Sequence, residues 1–269
     1  MKKCLFILIF YSTNTLACLD KPLLSDTPTI FLLATGANTG ELTKANSDAQ
    51  AFANAIQKRF NIDTDNLCVI PDVGKLQFKQ ALEILQELVE PQDKVFIYFS
   101  GHGTTKEDHD NDEIDCSDDE AFVTNSNILL TDDDFVSLVN AINTDDIITF
   151  IDSCFASGML RGEENCSAKS KFWLWPNLKN TEDKLPSKYC PTSKLISKSK
   201  LLKGTVYAAT KENQLAWEYP QQGSIFTSIF LENMNIYKNA SLDKIFDKTA
   251  KEVVEETKNN GCKQSPQKW

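Results

Sequence analysis

A chain of 269 residues with 41% hydrophobic and 25% charged side chains is long enough to bury one sizeable core. Its net charge of −10 argues against a nucleic-acid partner, which would need a basic face, and favours a cationic substrate or a bound cation. The N-terminus reads Met1-Lys2-Lys3, then the apolar CLFILIF, then polar residues ending in Thr15-Leu16-Ala17. A basic start, a short apolar run and a small residue before a cut describe a signal peptide over residues 1–17. The expectation is an exported protein, periplasmic or secreted. A lipid anchor through Cys18 is the alternative, because TLAC is similar to a lipoprotein box. No later stretch is apolar enough to span a bilayer, so no stable membrane insertion is expected once the leader is gone. Cys68, Cys116, Cys154, Cys166, Cys190 and Cys262 form no C-x-x-C pair, so a zinc site is not expected, and their pairing stays open.

From Thr29 onward, apolar and amphipathic stretches alternate. TIFLLAT (29–35) predicts a buried strand, and SDAQAFANAIQKRF (47–60) a helix capped by Ser47. LCVIP (67–71) predicts a strand, LQFKQALEILQELV (76–89) a helix, and KVFIYFS (94–100) a strand. DDDFVSLVNAI (132–142) follows as a helix with an acidic N-terminus, and IITFIDS (147–153) as a strand. TVYAAT (205–210) reads as a strand, and SIFTSIFLENM (224–234) and SLDKIFDKTAKEVVEETK (241–258) as helices. Such alternation predicts an α/β fold, a mostly parallel sheet with helices on both faces. Residues 27–160 would form one catalytic region and residues 204–269 would complete the same domain. Between them, 161–203 reads as a lysine-rich exposed connection.

In a parallel sheet, reactive groups collect beyond the carboxyl ends of the strands. One strand ends in Ser100-Gly101-His102-Gly103 and another in Asp152-Ser153-Cys154. If the two strands are neighbours, His102 and Cys154 share a rim. A thiol near pKa 8.5 beside an imidazole near 6.5 can form a thiolate–imidazolium pair, a nucleophile with a proton donor for a leaving amine. The Gly103 amide, with that of Cys154, could hold an oxyanion. Asp152 points the same way as Cys154 along the strand end and would attract a basic side chain. The only other histidine, His109, sits in an acidic loop that suits a base poorly.

FIYFSGHGT together with FIDSCFASG resembles the caspase-like cysteine peptidases, and among them the metacaspases and their bacterial relatives. The spacing of about 50 residues from histidine to cysteine is similar too. DNDEIDCSDDEAF, LTDDDF, GSIFTSIFLENM and KQSPQ extend the likeness over most of residues 29–269. The resemblance implies the three-layer caspase–hemoglobinase fold, and the chain is expected to be a monomer. It implies hydrolysis of protein or peptide substrates after Arg or Lys, by Cys154 and His102, with Asp48 and Asp152 lining an acidic pocket. It implies calcium activation, with Asp119, Asp132 and Asp133 as ligands. Asp108, Asp110 and Asp112 alternate as in an EF-hand loop, but Glu113 stands at the turn glycine. Where the family has another aspartate after the cysteine, this chain has Arg161-Gly162, with Glu163 the nearest carboxylate.

Basic residues just after the nucleophile suggest self-processing at Arg161 or at a lysine within 169–203. Two alternatives stay open: a legumain-like or gingipain-like peptidase of other specificity, and a non-catalytic calcium-binding module on the same scaffold.

Overall fold

The computed structural model describes residues 18–19, 27–106, 119–154, 166–173, 202–211 and 214–269, with the side chains of Lys106 and Asp119 left out. The central sheet contains β1 (Ile30–Gly36), β2 (Leu67–Ile70), β3 (Lys94–Ser100), β7 (Ile147–Asp152), β9 (Thr205–Ala208) and β12 (Gln267–Lys268), in the order β12-β9-β7-β3-β1-β2. All neighbours are parallel except the edge strand β12. The strands alternate their buried residues between two layers, as period-2 side chains must. Phe31, Leu33, Ile97 and Phe99 pack against Phe78, Leu82 and Leu85 of α2 (Lys75–Leu88) and Phe135 and Val139 of α3 (Asp132–Asn140). Leu32, Ala34, Phe96, Tyr98 and Phe150 face the opposite layer. It is built from α1 (Ala45–Phe60), α4 (Ile225–Ile236) and α5 (Leu242–Asn259). There Phe52 stacks on Tyr98 at 4.2 Å and meets Phe150 edge-on at 4.8 Å. The α/β fold with helices on both faces is therefore present as expected.

Differences lie at the ends and in the short strands. Helix α1 begins at Ala45, and Ser47 is not its cap: the Ser47 hydroxyl bonds the Lys44 carbonyl from inside the first turn. Thr131 caps α3 and Ser241 caps α5, each accepting a backbone N–H three residues on. Two small antiparallel sheets carry no strong sequence signal. One is β4 (Gly103–Lys106), β5 (Asp119–Thr124) and β6 (Ile128–Thr131); the other is β8 (Lys169–Ser170), β10 (Trp217–Tyr219) and β11 (Gly223–Ser224). The second brings residues 169–170 into the body of the protein, so the expected exposed connection does not hold there. Two disulfides, Cys18–Cys68 and Cys166–Cys262, fix distant parts of the chain, and Cys154 is the free cysteine among the described residues.

Candidate active site

Strands β3 and β7 are neighbours, and Ser100 stands opposite Asp152 in their register. His102 and Cys154 each follow two residues later, so the two strands deliver them to one rim, both almost fully buried. What buries them is the segment 169–173. It runs antiparallel to β10, with Ser170 opposite Trp217 and Lys169 opposite Glu218, and the Lys171 amide donates to the Ala216 carbonyl at 2.9 Å. The Lys171 carbonyl accepts the Gly103 amide at 2.9 Å. Past it, the Trp173 amide donates to the Gly103 carbonyl, and the indole lies 5.4 Å from the His102 ring. Two glycines permit close approaches here, Gly103 against the strand end of Cys154 and Gly40 against this segment. A Cβ on Gly103 would sit 1.9 Å from the Cys154 carbonyl oxygen, and one on Gly40 (φ +55°) 2.2 Å from the Trp173 ring.

The Lys171 side chain is completely buried among carboxylates. Its ammonium lies 2.9 Å from Asp152 Oδ1 and donates to Ser100 Oγ at 2.8 Å and to the Asp152 carbonyl at 3.1 Å. Ser100 Oγ in turn reaches Asp48 Oδ2 at 3.5 Å. Asp152 Oδ2 accepts from Thr227 at 2.5 Å, and Asp48 Oδ2 accepts the Ser224 amide at 3.1 Å, so α4 and its entry hold both acids. Glu218, fully buried, adds a third carboxylate fixed by the Thr43 amide at 3.1 Å. Burial alone would lower the Lys171 pKa; the Asp152 and Asp48 carboxylates outweigh it, so the ammonium stays charged. Burial also raises Asp48 to about 7, against the pull of Lys171.

In this covered state burial works against the expected thiolate–imidazolium pair. Burial pushes the Cys154 thiol up to about 12, although the Ala216 amide, 3.1 Å from Sγ, and the Lys171 charge work the other way. Burial lowers His102 to about 4, so both groups are neutral near pH 7. The cause is the overlying segment, which excludes the water that would stabilise either charge.

Of the residues read from the sequence, Asp48, His102, Gly103, Asp152 and Cys154 thus come together around Lys171. Asp132 is buried and Asp133 half-buried in the first turn of α3, while the side chain of Asp119 lies outside the described residues. Among the described residues no three His, Cys, Asp or Glu side chains are grouped to hold a metal. Arg161, Glu163 and the aspartates at 108, 110 and 112 also lie outside the described residues. Sequence reasoning missed Ser100, Glu218 and Gln264. Gln264 is buried, accepts the Trp217 amide at 3.2 Å and donates to the Ala209 carbonyl at 2.9 Å. The signal for Ser100 was its register with Asp152; Glu218 and Gln264 offered none.

A parallel sheet between two helical layers, with cysteine and histidine on adjacent strand ends, defines the class of caspase-like proteins. The caspase-domain family model matches residues 31–269, and the chain belongs to that peptidase family. It is 39% identical to Metacaspase-6 of Arabidopsis thaliana over 100 residues, covering 37% of this chain and 27% of that protein. It is 27% identical to Metacaspase-4 of the same plant over 45% of this chain and 31% of the relative. The matches therefore span about a third or less of those metacaspases. The fold is similar to the crystal structure of GSU0716 from Geobacter sulfurreducens, with a TM-score of 0.62 at 18% identity, covering 90% of this chain and 93% of that one. It is also similar to Caspase-1 from Spodoptera frugiperda, with a TM-score of 0.52 at 10% identity, covering 93% of this chain and 95% of that one. Membership makes this a cysteine-type peptidase family protein. No helix among the described residues is long and apolar enough to cross a membrane.

Proposed function

We propose that the chain is a cysteine endopeptidase cutting after lysine or arginine, and that residues 169–173 are its own first substrate, bound in cis. One observation carries this reading: Lys171 fills a pocket of buried carboxylates while its carbonyl accepts the Gly103 amide beside Cys154. That is the pose of a residue before a scissile bond, with Phe172 following the cut. Cys154 Sγ attacks the Lys171 carbonyl carbon and its proton passes to His102. The Gly103 N–H holds the oxyanion as the carbonyl bond opens. His102 then protonates the Phe172 nitrogen, the Lys171–Phe172 bond breaks, and water hydrolyses the thioester to a Lys171 carboxylate and free thiol. Because thiol and imidazole start neutral here, His102 acts first as a general base. Arginine fits the same pocket, since its guanidinium can bridge paired carboxylates.

Calcium held by Asp119, Asp132 and Asp133 belongs to the same proposal, as the charge that would fix the start of α3 relative to β5. Export is supported by the leader-like residues 1–17 and by the two disulfides, which suit an oxidising compartment. The Cys18–Cys68 bond uses the sulfur that a lipid anchor would require.

Intact mass of the protein recovered from the culture medium or periplasm, with and without calcium, tests these points together. Expected are a chain starting at or near Cys18 and, on activation, a new end at Lys171. Lys171→Arg should still be cut there. Lys171→Ala should not, yet it should hydrolyse lysyl and arginyl peptides without prior processing. Cys154→Ala should do neither. Preference for asparaginyl or aspartyl peptides would overturn the pocket assignment, and no hydrolysis of any peptide would favour the non-catalytic module.

A further inference from the structure

The cut proposed above falls between the two halves of a disulfide. Cys166 lies before Lys171 and is bonded to Cys262, which lies beyond Phe172 at the end of α5. Cys262 is rigidly placed: its amide donates to the Thr257 carbonyl at 2.8 Å. The residues after it, Lys263 and Gln264, bond the side chain and the amide of Trp217. The sulfur holding Cys166 is thus built into the same wall on which Ser170 and Lys169 pair with Trp217 and Glu218.

We infer that the Cys166–Cys262 disulfide is a tether that keeps the severed end in the groove after self-cleavage, so that opening it by a thiol completes activation. The inference rests on the reading of Lys171–Phe172 as the cut bond. Hydrolysis at that bond leaves two pieces, one ending at Lys171 and one starting at Phe172, joined through the disulfide. The new Lys171 terminus keeps its ammonium on Asp152 and its backbone on Ala216, and only the short stretch from Cys166 separates it from a fixed point. A ligand on so short a tether has an effective concentration in the millimolar range or above, which an external peptide must outcompete. Once the disulfide opens, the end is held only through the longer stretch back to Cys154. Effective concentration falls roughly as the −3/2 power of tether length, so the fraction of sites open to an external peptide should rise about fivefold or more. The chemistry balances as thiol–disulfide exchange. A thiolate attacks Cys166 Sγ, Cys262 leaves as a thiolate and takes a proton, and a second thiol resolves the mixed disulfide. Two external thiols are oxidised to one disulfide as Cys166 and Cys262 are reduced. Cys166 is half-buried and Cys262 buried, so of the two sulfurs it is Cys166 that the attacking thiolate meets.

The test compares self-processed wild type with the processed Cys166→Ser/Cys262→Ser double variant, each prepared without reductant. Processed wild type should run as one species on a non-reducing gel and as two after reduction. Its kcat/KM on a lysyl peptide should rise about fivefold or more when glutathione opens the bond. The double variant should show the higher value from the start and respond little to glutathione, which separates the tether from any reduction of Cys154 itself. Equal activity of the two processed proteins, or an equal rise in both with glutathione, would overturn the tether while leaving the cut intact. Absence of a Lys171 terminus in both proteins would overturn the cut and the tether together. Should the double variant not fold, wild type partly reduced and alkylated at Cys166 and Cys262, as mapped by mass spectrometry, provides the same comparison.

Discussion

Asp152 and Asp48 hold the same ammonium by unequal means. Asp152 meets Lys171 directly at 2.9 Å, whereas Asp48 acts through Ser100 Oγ. A hydrogen bond to a charged group is worth about 1.5–3 kcal/mol, or roughly 10- to 100-fold in rate or affinity. Asp152→Asn should therefore lower kcat/KM for lysyl and arginyl peptides by about 10- to 100-fold. Asp48→Asn should lower it less, and both losses should fall mainly on KM, because neither acid touches the reacting atoms. Equal losses in the two variants, or a loss confined to kcat, would contradict the pocket geometry. This asymmetry was only half legible in the sequence. Asp152 announces itself two residues from Cys154 on a strand end, and His102 stands out between glycines. Glu218 is an unremarkable acid in a short stretch, and only the fold turns it inward beside Lys171. Lys171 was legible only as one of the candidate lysines within 169–203, because a lysine among lysines reads as solvated until a pocket of opposite charge surrounds it.

The elements that carry the site differ in how they are held. β3 and β7 are long, apolar and central, so their hydrophobic runs read clearly and their register follows from burial on both faces. β10 is a three-residue strand with no apolar pattern, and what fixes it is Gln264 from the C-terminal segment. Such strands are invisible to periodicity because their partners lie far along the chain. Gln264→Leu would leave the Trp217 amide and the Ala209 carbonyl without that partner in the interior, at a cost of about 1–3 kcal/mol for an unsatisfied buried group. The wall that pairs with a peptide should loosen while the strands bearing Cys154 and His102 stay in place. Steady-state kinetics should then show KM rising several-fold with kcat little changed, and urea unfolding should show the lost stability. A fall in kcat with KM unchanged would instead place Gln264 in the arrangement of the dyad.

For the whole molecule, two buried groups at the site link stability to pH with opposite signs. Asp48, raised to about 7, keeps its proton in the folded chain while the unfolded chain releases it at ordinary carboxylate pH. Its contribution is therefore lost as pH rises toward 7. His102, lowered to about 4, is neutral when folded, whereas the unfolded chain binds a proton near pH 6.5. Its contribution is lost as pH falls from that value. Between about pH 4 and 6.5 each group changes stability by about 1.4 kcal/mol per pH unit, in opposite directions, so the pair cancels. Thermal unfolding of Cys154→Ala, which cannot cut itself, should thus depend on these two groups only weakly across that range. Adding Asp48→Asn should expose the histidine, with stability rising as pH rises. Adding His102→Ala instead should expose the aspartate, with stability falling as pH rises through the same interval. Slopes of the same sign in the two double variants would mean that the segment over the site does not bury both groups.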